Sequence, residues 1–83
     1  MGVSDWRTLR DEIAANKRNT TFDELREMLE AAGFTMRVGT PGSHRPFVKP
    51  GCFNRPTLKQ RRGPMPIGYV QAALRAVDDC GED

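Results

Sequence analysis

The stretch Thr21–Gly33 encodes a helix with both ends specified, and it constrains the fold more than any other part of the chain. Thr21-Phe22-Asp23-Glu24 matches a capping box, in which the cap hydroxyl bonds the Glu24 N–H and the Glu24 side chain bonds back to the cap's own N–H. Phe22, Leu25, Met28, Leu29 and Ala32 recur at helical spacing and make one apolar face. Asp23 and Glu24 sit where the helix dipole is positive. Gly33 stands where a C′ residue takes positive φ, which costs a residue without a Cβ little. A helix delimited in this way must bury its apolar face against whatever the flanking segments supply.

Those segments are short and punctuated. Upstream, Ser4 can cap a first helix reaching about Asn16, with Trp6, Leu9 and Ile13 on a narrow stripe that can pack on this domain or serve a partner. Asn16-Lys17-Arg18-Asn19-Thr20 then breaks the pattern. Downstream, Phe34, Met36 and Val38 alternate with Thr35 and Arg37, the period of a half-buried strand. A turn at Gly39-Thr40-Pro41-Gly42 leads into a second strand from about His44 to Lys49. Pro46 lacks the N–H that a central ladder uses, which predicts an edge position or an interruption there. Pro50-Gly51 opens another turn extending to about Asn54. A third strand covers Arg55 to Gln60, with Leu58 inward and Thr57 and Lys59 outward. Arg61 to Pro66 is a loop, and a last helix begins near Pro66 or Ile67. Tyr69, Val70, Ala73, Leu74 and Val77 form its apolar face, and it frays into an acidic tail at 78–83.

The order α-(linker)-α-β-β-β-α predicts one α+β domain, a three-stranded antiparallel meander with helices on one face and the other face open to solvent. Two regions are expected within it: 1–20, helix and linker, and 21–83, the core with its tail. An 83-residue chain is near the lower limit at which one core suffices. No apolar run approaches the ~20 residues that span a bilayer, and Trp6 to Ile13 mixes apolar and charged residues instead of forming a signal-peptide core. Cys52 and Cys80 have no metal-type spacing. One disulfide is formally possible, but the expectation is two free thiols in a reducing cytoplasm, the default location.

Charge is segregated along the chain. Residues 37–62 hold seven basic side chains (Arg37, Arg45, Lys49, Arg55, Lys59, Arg61 and Arg62) and no acidic one, whereas residues 1–32 hold five basic and seven acidic. Such a run is an electrostatic footprint for a polyanion. It also encloses the only histidine, His44.

This inventory excludes much chemistry. There is no Cys/His cluster for a metal and no carboxylate within residues 31–77 for Mg²⁺-dependent hydrolysis, and no glycine fingerprint for nucleotides. No cofactor is expected. Ser43 and His44 are adjacent in an extended segment, so they point to opposite faces and make no dyad. One imidazole among several cations suits RNA cleavage. The 2′-OH is an internal nucleophile, and the reaction needs a base for its proton and cations for the charged phosphorane. An imidazole as a class titrates near neutrality and fits the first task. Arg37, Arg45, Lys49 and Lys59 are candidates for the second, with Arg61 and Arg62 extending the phosphate-binding surface. With no second histidine, protonation of the leaving oxygen falls to water, to a lysine or to His44 itself.

The residues Leu29-Glu30-Ala31-Ala32-Gly33-Phe34, then Gly42-Ser43-His44 with Phe47 three positions on, resemble the HicA toxins of bacterial toxin–antitoxin systems. Ile67-Gly68-Tyr69-Val70-Gln71-Ala72-Ala73-Leu74 is similar to that family's closing helix, so the resemblance covers about residues 21–77. It implies a double-stranded-RNA-binding-like α-β-β-β-α fold and an endoribonuclease that cleaves mRNA and stops translation. It also implies a HicB-type antitoxin that masks the site. The family's catalytic histidine corresponds to His44, and Gly42 and Ser43 to the residues that present it, which adds Ser43 to the RNA-binding set. The helix at 4–16 precedes the usual start of the family core, and the proline-rich segments 50–54 and 60–66 differ from the shorter forms expected. Two other readings compete: a non-catalytic RNA-binding module of the same fold, and a protein-interaction domain docking through the Trp6-Leu9-Ile13 stripe.

Overall fold

A computed structural model describes residues 5–38 and 42–81. Among these the order is α1 (Trp6–Ala14), a 3-10 turn (Lys17–Asn19), α2 (Phe22–Ala31), β1 (Thr35–Met36), β2 (His44–Val48), β3 (Thr57–Lys59) and α3 (Ile67–Cys80). The strands form one antiparallel sheet in the order β1-β2-β3, the meander expected from the short connections. The class is α+β, and no helix among the described residues is long and apolar enough to cross a membrane.

Both ends of α2 form as the sequence dictates. The Thr21 N–H donates to the Glu24 carboxylate at 2.8 Å and the Glu24 N–H to the Thr21 hydroxyl at 3.3 Å. At the other end the Phe34 N–H reaches the Leu29 carbonyl and the Gly33 N–H the Glu30 carbonyl, with Gly33 at φ 102°, the Schellman closure. Leu25, Met28 and Leu29 are fully buried against Phe47 and Leu58 of the sheet and Val70, Ala73 and Val77 of α3. Burying each such side chain contributes about 1.5–3 kcal/mol.

The first helix departs from expectation at its start. Asp5 is its N-cap, the carboxylate accepting from the Arg7 N–H, while Ser4 lies outside the described residues. Its stripe is used within the domain: Ile13 is buried, and Trp6 and Leu9 pack on the common core. Arg10 closes the contact from α1 to α3, donating through Nε and Nη2 to the two Asp78 oxygens at 2.9 and 3.0 Å. That hydrogen bond first, and the nearby carboxylate charge second, raise the Arg10 pKa above the ordinary guanidinium value.

Pro46 sits in the central strand. The register pairs it with Thr57 on β3, and the flanking bonds from Gln60 N–H to Ser43 O and from Phe47 N–H to Pro56 O make 46↔57 a position where no ladder bond is due. The missing N–H is felt toward β1. There Pro46 O still accepts from the Arg37 N–H at 2.8 Å but nothing donates in return. The predicted interruption is this one, and β1 is correspondingly short.

The two cysteines correct the expectation of free thiols. Cys52 and Cys80 form a disulfide with Cα atoms 6.0 Å apart, tying the β2–β3 connection to the end of α3. Sequence separation had concealed their proximity.

Candidate functional site

Side-chain alternation assigns the sheet's two faces. Arg45 and Phe47 of β2 share a face with Leu58 and Met36, and this face carries the core. His44, Pro46 and Val48 share the other face with Thr35 of β1 and Thr57 and Lys59 of β3. The Arg37–Pro46 hydrogen bond continues the register by one residue and adds Arg37 to this second face. Thr35, Arg37, His44, Thr57 and Lys59 are all exposed, so the face is open.

His44 and Lys59 are directly opposed in the register. Gln60 N–H donates to Ser43 O one step away, so alternation makes 44↔59 a non-hydrogen-bonded pair. Opposed Cα atoms in such pairs approach to about 4.5 Å and their side chains lie side by side. Arg37 occupies the adjacent row on the far side of β2. His44 therefore stands beside Lys59 in the sheet, with Arg37 one row along on the same face.

The turn that delivers His44 is fixed by its own backbone. Gly42 has φ 71°, the left-handed region in which a Cβ is strained, and the Arg45 guanidinium donates through Nη1 to the carbonyls of both Gly42 and His44 at 3.0 Å. Residues 39–41 of the expected turn lie outside the described residues. Ser43 contributes its carbonyl to β3, as the acceptor of the Gln60 N–H.

The predicted phosphate ligands divide into three groups. Arg37 and Lys59 share the open face with His44. Arg61 and Arg62 follow β3 at the same end of the sheet as His44, and both are exposed. With Thr21, Phe22, Asp23, Gln60 and Gly63 they line a groove of about 420 Å³ at the start of α2. Arg45 and Lys49 are placed differently. Arg45 lies on the core side and braces the turn. Lys49 lies beyond the far end of β2, where its ammonium donates to the Ala32 carbonyl at 3.0 Å and to the Cys80 carbonyl, with the Phe34 ring 6.0 Å away. It caps the C-terminal ends of α2 and α3 together.

Sequence reasoning misplaced one apolar residue and missed another. Val38, expected on the buried face of the first strand, lies past the end of β1 and is exposed. Phe53 projects fully into solvent at 101 % relative exposure, although its segment shows no period from which this could be read. Among the described residues no three of His, Cys, Asp and Glu come together as a metal cluster would require.

Comparisons of the chain with protein-family models, with curated proteins and with solved structures give no match.

Proposed function

We propose that this chain is a small metal-independent endoribonuclease, the toxin of a HicA/HicB-type pair that cleaves mRNA in the cytoplasm. The observation that carries the reading is the register of β2 on β3, which sets the only histidine of the chain beside Lys59 on an open, acid-free sheet face. The α-β-β-β-α order from α2 to α3 is that of the double-stranded-RNA-binding-like fold, and the resemblance of Gly42-Ser43-His44 to the family motif points the same way.

In this reading His44 takes the proton of a ribose 2′-OH. The oxygen attacks the adjacent phosphorus, the P–O2′ bond forms, and the P–O5′ bond breaks to leave a 2′,3′-cyclic phosphate and a 5′-hydroxyl. Arg37 and Lys59 stabilise the phosphorane charge. Among the candidate donors for the leaving oxygen, Lys59 is the lysine that the register puts next to His44, and water and His44 itself are the others. Arg61 and Arg62 extend phosphate contacts past the end of the sheet, Ser43 and Arg45 hold the turn, and a HicB-type antitoxin covers the open face.

Induced expression of the wild type and of His44→Ala, followed by growth and by the integrity of several messages, tests this. Growth arrest and message loss with the wild type, and neither with a folded His44→Ala, are expected. A folded His44→Ala that still degrades message would overturn the reading. RNA binding without turnover in either chain would identify the non-catalytic module instead.

A further inference from the structure

We propose that Phe53 is a stacking platform for an unpaired nucleobase of the bound RNA, at the opposite end of the β2–β3 hairpin from His44. This rests on the RNA reading above and extends it to a second, non-catalytic contact. A fully exposed phenyl ring is unfavourable by itself, since burying it would gain about 1.5–3 kcal/mol. Here the chain exposes the ring and also holds it in place. Cys52 is bonded to Cys80, and the Asn54 side-chain amide donates to the Asp79 carboxylate at 3.2 Å, so the residues on both sides of Phe53 are tied to the end of α3. The Cys52 sulfur is also bracketed by the backbone of Asn54 at 3.3–3.4 Å. With both neighbours turned to the helix layer, the ring between them is presented away from it. Asp79 belongs to α3 and its carboxylate is engaged by Asn54.

The surroundings select the occupant. Phe53 lies inside the acid-free run, two residues before the exposed Arg55, so a ligand reaching it meets positive charge. A protein interface would require a contiguous apolar patch. Among the described residues the large exposed apolar side chains are instead scattered: Val38 is at the His44 end of the sheet, and Ile67 begins α3, whose other end carries Cys80. A single ring in a basic segment, two residues from Arg55, matches the face of one base, and aromatic–base stacking is sequence-tolerant. His44 to Val48 alone spans about 13 Å at strand rise, so the stacked base lies well away from the reacting phosphate.

The test uses the full chain carrying His44→Gln, to suppress turnover, and a short fluorescein-labelled single-stranded RNA, with an abasic RNA of equal length as control. Replacing Phe53 by Ala or Leu should weaken binding to the RNA by roughly five- to a hundredfold, the range of one lost stack, with the salt slope unchanged. Phe53→Trp should retain affinity, the abasic RNA should bind Phe53→Ala and the parent chain equally, and the melting temperatures should agree. Equal RNA affinity of Phe53→Ala and its parent would overturn the stacking role and leave the ring to a protein partner or a second copy, visible as concentration-dependent self-association. If the wild-type chain binds no RNA at all, the RNA reading itself falls, and the stacking role with it.

Discussion

Lys49 and Lys59 lie ten residues apart in one basic run and do opposite things. Lys59 is exposed on the open face beside His44. Lys49 is half-buried and donates to the carbonyls of Ala32 and Cys80, acceptors that the ends of α2 and α3 leave without helical partners. Hydrogen bonds from a charged group typically contribute about 1.5–3 kcal/mol net. Lys49→Ala should therefore lower unfolding stability by an amount in that range and leave the salt dependence of RNA binding unchanged. Lys59→Ala should leave the melting temperature almost unmoved and reduce the log–log salt slope by about 0.7, one single-strand phosphate contact. Equilibrium denaturation and salt-titrated binding of the two variants read both effects. The reverse pattern would exchange the two roles. This distinction was not legible in the sequence, because Lys49 acquires its role only where two distant helix ends converge.

At the scale of elements, legibility followed the range of the interactions involved. Both ends of α2 could be read because the capping box and the glycine closure act within a few residues. The outward placement of Lys59 and the inward placement of Leu58 could be read because strand alternation is local. The register could not be read, so sequence showed His44 to be the only histidine in a basic run but not that Lys59 stands opposite it. The use of α1 was also open until its surroundings were known. Trp6 packs over Gly81, where an added Cβ would fall well inside van der Waals contact with the Trp6 ring and the Val77 carbonyl, so that one of them must shift. Gly81→Ala should displace the chain's only tryptophan, shifting its fluorescence to longer wavelength, and lower stability by about 1–3 kcal/mol through overpacking. Unchanged emission would show that α1 does not dock there.

The whole molecule is small, and the disulfide closes it. Cys52 and Cys80 are separated by 28 positions, and in the chain-entropy account a loop of that size contributes about 3–4 kcal/mol. Against a typical domain stability of about 5–15 kcal/mol that is a large share. Urea unfolding with and without dithiothreitol should show a loss of this order, and coincident curves would mean that the bond is not made in solution. A reducing cytoplasm disfavours such bonds. The same end of α3 is also held by Lys49 on the Cys80 carbonyl and by Asn54 on Asp79, contacts that do not pass through the bond. The fold class was legible from the pattern of breakers and periods, and the bond was not, because nothing local to either cysteine marks its partner.

The central claim is that His44 activates a ribose hydroxyl, and purified chain with a labelled RNA tests it most directly. Wild type and His44→Gln are compared on an all-ribose strand and on one carrying a single 2′-deoxynucleotide on the 5′ side of each mapped cleavage position. Cleavage by the wild type alone, in the presence of a chelator, giving a 2′,3′-cyclic phosphate and blocked by the deoxy substitution, is the predicted result. Cleavage of the deoxy strand, or undiminished cleavage by a folded His44→Gln, would contradict it.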